Sequence, residues 1–195
     1  NFAEDLSKKL NIPIVPTNHM IGHIASVLFN NAKVEFPVLA LLISGGHTEL
    51  VFLKSWADKE KIGETQDDAV GEAFDKVARM LGLPYPGGPE ISKLAEEARA
   101  KNIQLETKFP RPMIHSKDFN FSFSGLKTAV LYYLRDKKPA RHAPARLDGM
   151  SGRSQSDAGG EINKIAVARE FEDSVIETLI SKTKKALGEY LPRTL

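Results

Sequence analysis

Two apolar segments joined by a glycine-containing turn constrain the fold of this chain more than any other feature of its sequence. Residues 36–43 form the longest apolar run, residues 49–54 form another, and the segment between them reads SGGHT. Short apolar runs bounded by turn residues are typical of buried strands, and a glycine pair between two strands favours a hairpin. The sequence therefore predicts two buried strands joined at residues 44–48.

Helical periodicity on both sides of this hairpin indicates the fold class. The clearest pattern covers residues 67–81, where apolar residues recur at helical spacing and Gly82 follows as a stop signal. A short apolar run predicts a further buried strand over residues 12–15. Strands that alternate with helices indicate an α/β fold. The other predicted helices cover residues 2–10, 19–30, 90–100, 124–135 and 162–190.

The composition excludes several classes of protein. The 195 residues are 42% hydrophobic and 27% charged, which is typical of a soluble globular domain. The absence of cysteine excludes a disulfide scaffold, thiol catalysis and a cysteine-ligated metal site. The apolar runs fall far short of the ~20 residues that span a membrane, and the N-terminus does not resemble a signal peptide. We therefore expect a cytoplasmic protein without membrane contact.

The domain organisation is predicted from a change in composition near the C-terminus. Residues 139–160 are rich in Gly, Ala, Ser and Pro and contain no aromatic residue, so we expect a flexible linker or insertion there. Residues 1–138 and 161–195 are then parts of one fold, the second part being a long amphipathic helix. The chain begins with Asn1 rather than Met, which indicates a processed protein or a piece of a longer one.

Positive charge is concentrated in one part of the sequence. Residues 107–146 contain nine Lys or Arg and two Asp, a local balance of +7 (nine minus two), whereas the whole chain carries +2. Such asymmetry favours a polyanionic partner, and a solvated basic face is the alternative interpretation.

Two histidines have the spacing of a metal-ligand pair. His19 and His23 are four residues apart in the predicted helix 19–30, so their rings project from the same face. Imidazoles placed in this way can bind one divalent transition metal, although the spacing also arises by chance. Zinc proteases with this spacing need a Glu directly after the first His, and this chain has Met20 there.

Three further segments have features of an anion-binding or nucleotide-binding site. The glycines of the SGGHT turn allow close backbone approach to a phosphate, and Ser44 and Thr48 add hydroxyl groups. The segment FSFSGLK (residues 121–127) combines hydroxyls, a lysine and a predicted helix N-terminus, which suits an anion or simply caps the helix. The helix 67–81 carries Asp68, Glu72 and Asp75 on one face, which is also typical of an exposed acidic surface with a Glu72–Lys76 pair.

Gly71 lies in the middle of this acidic helix. Glycine within a helix costs roughly 1 kcal/mol relative to alanine, so its presence indicates that another backbone approaches closely.

The order of these motifs resembles one known family. NHMIGHI, ALLISGGHTELV, DDAVGEAFDKVARMLGLPYPGGPEISKLA and FNFSFSGLKTAV follow one another as in the threonylcarbamoyltransferases of tRNA modification, formerly described as O-sialoglycoprotein endopeptidases or glycoproteases. The resemblance covers residues 1–135 and resumes from residue 165.

This resemblance implies both a fold and a reaction. The fold is the actin-like ATPase fold, with ribonuclease-H-like and sugar-kinase-like lobes, here incomplete at both ends. The reaction is transfer of a threonylcarbamoyl group from threonylcarbamoyl-adenylate to N6 of the adenosine next to the anticodon, in tRNAs that read codons starting with A. The partners implied are tRNA, an inactive paralogue and a small ATPase.

The resemblance also implies site residues. His19 and His23 match the ligands of a metal ion, iron or zinc. The residues that match the family's adenylate-binding positions are Leu42, Ile43, Ser44, Gly45, Gly46, Asp75 and Gly88. His47 is the candidate general base.

Several departures from the family pattern affect this assignment. The family's opening strands are missing before Asn1, and its later glycine-rich segment and third metal ligand, an aspartate, are missing after Leu195. Ile21 occupies a position where many bacterial members have Glu. We therefore expect a central fragment of the transferase. A metallopeptidase and a catalytically silent binding subunit are the alternatives.

Overall fold

The predicted mixture of helices and strands is present in a computed structural model that describes residues 1–30, 33–137 and 162–195. A 3-10 turn, Ser26–Asn30, continues the second helix. The strands are β1 (Val38–Ile43), β2 (Thr48–Leu53) and β3 (Lys59–Glu64). The helices are α1 (Phe2–Leu10), α2 (His19–Ala25), α3 (Val70–Met80), α4 (Gly87–Ala100), α5 (Ser124–Lys137) and α6 (Lys164–Tyr190).

The predicted hairpin forms most of a small antiparallel sheet with strand order β1-β2-β3. β1 and β2 pair from Val38↔Leu53 to Ile43↔Thr48, so the SGGHT turn connects them directly. The sequence did not predict β3, which reads KEKIGE and lacks an apolar pattern because its first three residues are exposed at the edge of the sheet.

Both faces of β1 and β2 are covered, which explains why their sequences are apolar without alternation. Leu39 and Leu50 lie in the main core with the buried residues of α3, α4, α5 and α6. Val38, Val51 and Leu53 form a second, smaller cluster with Ile24 of α2. The sheet therefore separates the helix that carries the two histidines from the helices of the main core.

Helix α6 contributes both apolar side chains at the centre of this core and buried charged side chains. Phe171 is fully buried and meets the Phe74 ring edge to face at 5.0 Å between centroids. Lys182 is also buried, and it donates a hydrogen bond of 2.9 Å to the backbone carbonyl of Asp118. Burial lowers the pKa of Lys182, although its contact with Asp118 opposes that shift.

The strand predicted over residues 12–15 is wrong. These residues form neither a helix nor a strand, and Ile12 and Val15 are 56% and 76% exposed. A strand needs a neighbour to accept and donate backbone hydrogen bonds, and no described strand lies beside this segment. Pro13 further reduces its capacity to pair because it has no N–H.

The helix predictions are confirmed with shifted boundaries. α3 begins three residues after the predicted start, α4 begins three residues before it, and α1 ends at Asn11 in the left-handed conformation. The predicted insertion at residues 139–160 lies outside the described residues. Among the residues that the structure describes, no helix is both long enough and apolar enough to cross a membrane.

The buried ring of Phe171 should be a main source of stability. Phe171→Ala removes the contact with Phe74 and leaves a cavity, so we expect the free energy of unfolding to fall by about 3–5 kcal/mol. Ile180→Ala is the matched control, since Ile180 lies on the same helix and is 47% exposed. It should change the same quantity by about 0.5 kcal/mol or less in urea titrations. Equal losses in the two variants would contradict this role of the core.

Candidate functional site

The SGGHT turn places an exposed glycine pair at the end of β1. The Ser44 N–H donates to the His47 carbonyl at 2.9 Å, and the His47 N–H donates to Ser44 Oγ at 3.0 Å. Gly45, Gly46 and His47 are exposed, and a Cβ built on either glycine meets no atom within 4 Å. The turn therefore presents bare backbone to open space, which suits the approach of a ligand phosphate.

Thr48 has a different role from the predicted one. Its side chain is fully buried, and its Oγ1 accepts a hydrogen bond of 2.9 Å from the Val70 N–H at the first turn of α3. Ala69 at the N-cap position has no side-chain acceptor, so Thr48 satisfies this backbone group from another element. The prediction that its hydroxyl serves a phosphate is wrong.

The expectation of a close backbone approach at Gly71 is confirmed. Its N–H donates to the Ser44 carbonyl at 3.2 Å. A Cβ at this position would lie 2.7 Å from the Gly45 Cα and 2.9 Å from the Ser44 carbonyl oxygen, closer than real Cβ atoms come. Helix α3 thus contacts the glycine turn through backbone atoms.

A second close approach lies one helical turn further along α3. The Gly87 N–H donates to Asp75 Oδ1 at 2.7 Å. A Cβ on Gly87 would lie 2.5 Å from the Ala78 Cβ and 2.9 Å from the Asp75 Cα. Gly88 follows directly, and a Cβ there would meet open space. Asp75 therefore anchors the Tyr-Pro-Gly-Gly turn to α3, a contact that the sequence analysis did not identify.

The two contacts lie on the same side of α3. Gly71 and Asp75 are four residues apart in the helix, so their contacts project from one face. Gly45 therefore lies against this face at Gly71 and Gly87 lies against it at Asp75, although the residues come from three separate segments. We call the surface formed by Ser44, Gly45, Gly71, Asp75 and Gly87 the glycine stripe.

The anion site predicted at residues 121–127 is occupied by the protein's own carboxylate. Asp67 Oδ1 accepts from the Phe123 N–H at 2.8 Å and from the Ser124 N–H at 3.2 Å, at the N-terminus of α5. Asp67 Oδ2 accepts from the hydroxyls of Ser122 and Ser124, both at 2.6 Å. The combination of donors was recognised correctly, but the anion is internal. The sequence feature that could have indicated this internal anion is the pair Asp67 and Asp68 shortly before α3.

These hydrogen bonds change the acidity of Asp67. Burial alone would raise its pKa, but the two serine hydroxyls and the two backbone N–H groups together lower it below the ordinary value of 3.8. Asp68 behaves in the same way, because Lys76 at 2.7 Å and Lys127 at 2.9 Å outweigh the effect of burial on its pKa. Lys76 also pairs with Glu72 at 2.6 Å, as predicted.

The predicted basic surface is partly neutralised by acids from other parts of the chain. Arg111 pairs with Glu170 and Glu177, and Lys108 pairs with Glu170 at 3.2 Å. Lys127 pairs with Asp68. These acids do not contribute to the local charge of residues 107–146, because they lie in α6 and before α3. Lys138, Arg141 and Arg146 lie outside the described residues.

The two histidines of α2 face each other. His19 Nε2 and His23 Nε2 are 3.1 Å apart, and both side chains are exposed. Asn18 caps this helix, since its Oδ1 accepts from the Ile21 N–H at 3.1 Å. At metal–nitrogen distances of about 2.0–2.1 Å, two nitrogens 3.1 Å apart subtend roughly 95–100° at the ion. This angle lies between those of octahedral and tetrahedral coordination, so the pair fits one transition-metal ion.

Residues 1–30, 33–137 and 162–195 contain no group of three or more His, Asp or Glu side chains arranged to hold a metal.

A cavity of about 370 Å³ lies between α2 and the sheet. His23 lines one side of it and Leu42 lines another, with Trp56 among the apolar side chains between α2 and the sheet. Ile43, the next residue along β1, is 49% exposed. The structure therefore places one candidate metal ligand and one candidate substrate-binding residue at a single cavity.

The sequence of this chain is similar to those of one family of known proteins. The chain matches the family described as tRNA N6-adenosine threonylcarbamoyltransferase over residues 1–195, and it is a member of that family. It is 44% identical over 189 residues to the protein of this name from Chromobacterium violaceum, covering 97% of this chain and 50% of the relative. It is 46% identical over 193 residues to the Bacillus subtilis protein of this name, covering 97% of this chain and 48% of the relative. The chain thus spans about half the length of these relatives.

The carboxylate of Asp67 should make stability depend on pH. Asp67→Asn removes charged acceptors from the N-terminus of α5, so we expect the free energy of unfolding at pH 7 to fall by about 1–2 kcal/mol. Because the pKa of Asp67 is lowered in the folded state, this contribution is present above 3.8 and is lost as the pH falls through the folded-state value.

The measurement is the difference in unfolding free energy between the wild type and Asp67→Asn across pH 2–7, and it should vanish at the acid end. Asp58→Asn is the control, because the side chain of Asp58 is 63% exposed and lies 3.9 Å from Lys54. A difference for Asp67→Asn that is independent of pH would show that ionisation of this carboxyl does not stabilise the fold.

Proposed function

We propose that this chain provides the donor-binding and metal-binding part of a tRNA N6-adenosine threonylcarbamoyltransferase. The reaction transfers a threonylcarbamoyl group from threonylcarbamoyl-adenylate to N6 of the adenosine next to the anticodon, in tRNAs that read codons starting with A. The supporting observation is the glycine stripe, which brings two glycine turns and Asp75 to one face of α3. Family membership gives this arrangement its expected ligand.

The glycine stripe suits an adenylate for chemical reasons. Exposed backbone at Gly45 and Gly46 can approach a phosphate closely, and the Gly45 N–H is a suitable donor to it. A carboxylate such as Asp75 is a suitable acceptor for ribose hydroxyls. In this proposal Leu42, Ile43 and Ser44 form the wall beside the donor, and Gly88 contacts it from the second turn. The contribution to the rate is then mainly positioning of the carbamoyl group.

The metal ion in this proposal is a single divalent iron or zinc held by His19 and His23. Its support is the fit of the two Nε2 atoms, 3.1 Å apart, to one coordination sphere. When bound, such an ion supplies Lewis-acid polarisation of an oxygen on the donor. His47, exposed at the end of the SGGHT turn, is the proposed general base for the acceptor amine.

The proposal extends to fold and partners. The three-stranded antiparallel sheet packed against helices is consistent with one lobe of an actin-like ATPase fold. The tRNA, an inactive paralogue and a small ATPase are the proposed partners, and the cytoplasm is the proposed location. The relatives described above are all named as the transferase, which favours this activity over the metallopeptidase and the silent binding subunit.

The histidine pair should bind metal. His19→Ala and His23→Ala should each raise the Kd for Zn²⁺ at least tenfold, about 1.4 kcal/mol, because one imidazole cannot replace two. His115→Ala is the control, since His115 is exposed and lies in a different segment. Isothermal titration calorimetry measures the Kd for Zn²⁺ of the wild type and of the three variants, each as the natural-length protein. Equal Zn²⁺ affinity in every variant would exclude the pair as ligands.

Asp75 should determine the affinity for the adenylate. We expect Asp75→Ala to raise the Kd for AMP at least tenfold, because it removes the carboxylate and releases Gly87. Glu97→Gln is the control, since Glu97 lies on α4, its side chain is 43% exposed, and it pairs with Lys101 at the end of the same helix. Equilibrium dialysis with labelled AMP makes the measurement.

The same preparation tests the activity itself. The natural-length protein, supplied with its partner subunits, tRNA and threonylcarbamoyl-adenylate, should form the modified adenosine and should not cleave a glycoprotein substrate. Wild-type AMP affinity in folded Asp75→Ala would remove Asp75 from the donor site. Peptide cleavage without transfer would support the metallopeptidase instead.

A further inference from the structure

The glycine turn after β1 is held by α3 rather than by its own hairpin alone. Within the hairpin, Ser44 and His47 close the turn through three hydrogen bonds. Outside the hairpin, the carbonyl of Ser44 accepts from the Gly71 N–H, and the neighbouring Gly45 lies where a Gly71 side chain would be. The position of the turn therefore depends on the start of α3.

Thr48, at the opposite end of the turn, also contacts the start of α3. Its buried hydroxyl accepts from the Val70 N–H, the residue just before Gly71, and its carbonyl accepts from the Thr65 N–H at 2.9 Å. Residues 44 and 48 are the two ends of the turn, and each is bonded to the first residues of α3. Such paired contacts leave the turn little freedom to shift along the helix.

We propose that Gly71 and Thr48 are positioning residues for the donor site. Acting through Ser44 and Gly45, they hold the SGG turn in register with Asp75, which lies one helical turn further along α3. Asp75 in turn holds the second glycine turn through Gly87. A single helix therefore sets the spacing between two surfaces that must contact one adenylate at the same time. This inference rests on the proposed adenylate-binding function.

A substitution at Gly71 distinguishes an effect on the position of the glycine turn from an effect on the helix propensity of α3. Gly71→Ala favours the helix intrinsically, but its Cβ would displace Gly45. Gly188→Ala is the matched control, because Gly188 is an exposed glycine in α6 whose Cβ would meet nothing within 4 Å. We expect Gly71→Ala to raise the Kd for AMP at least tenfold and Gly188→Ala to leave it unchanged.

Substitution at Thr48 tests the second contact without adding bulk at the turn. Thr48→Val removes the acceptor for the Val70 N–H and should raise the Kd for AMP at least tenfold, whereas Thr48→Ser keeps the hydroxyl and should restore the wild-type value. A purely structural role would lower the fraction of folded protein and the binding stoichiometry, but would leave the Kd of the folded molecules unchanged.

A readout without ligand makes the result independent of the proposed function. In the natural-length protein labelled with ¹⁵N-glycine, Gly71→Ala and Thr48→Val should shift the amide resonances of Gly45 and Gly46, and Gly188→Ala and Thr48→Ser should not. Shifted resonances together with weaker AMP binding support the inference. Unshifted resonances, or wild-type Kd values in folded Gly71→Ala and Thr48→Val, overturn it. Shifted resonances in a protein whose wild type binds no AMP overturn the proposed function and the donor-site role with it.

Discussion

The contact between the backbone of α3 and the backbone of the turn after β1 is the constraint on which the candidate site depends. Gly71 allows this contact because any side chain there would occupy the space of Gly45. The N–H of Gly71 donates to the Ser44 carbonyl, and the buried Thr48 hydroxyl satisfies the preceding N–H. Because backbone atoms are the least adjustable part of a protein, the glycine turn and Asp75 keep a defined separation. The proposed adenylate site follows from that separation.

Ion pairs and hydrogen bonds within the molecule determine which charged groups remain available to bind a ligand. Asp67 occupies the N-terminus of α5 together with the hydroxyls of Ser122 and Ser124. Buried Glu170 accepts from the Phe109 N–H and pairs with Arg111. The donors of residues 121–127 and part of the predicted basic surface, Lys108, Arg111 and Lys127, are therefore paired within the fold. The exposed glycine turn and the histidine pair differ from them, because they face open space or each other.

The fold was predicted well where the signal is local. The hairpin and the helices arise from apolar periodicity and from caps close in sequence, so their existence was predicted and only their boundaries moved. β3 was missed because an exposed edge strand needs no apolar pattern, and residues 12–15 were assigned wrongly because an apolar run predicts burial without showing what would pair with it. Gly71 was predicted to lie against another backbone, but the sequence did not show which one.

The sequence by itself determined the helices, the β1–β2 hairpin, the facing histidines and the presence of glycine turns, since each depends on residues close to one another along the chain. Only the tertiary structure decided which groups satisfy one another across the chain. In the folded chain the Thr48 hydroxyl accepts a hydrogen bond from the Val70 N–H, and the Asp67 carboxylate accepts one at the start of α5. The Asp75 carboxylate accepts one from the Gly87 N–H. The physical reason is that an unpaired polar group in the interior is costly, so most such groups are paired, and distance along the chain does not limit where the partner lies. Which polar groups remain available to a ligand is therefore a property of the folded molecule.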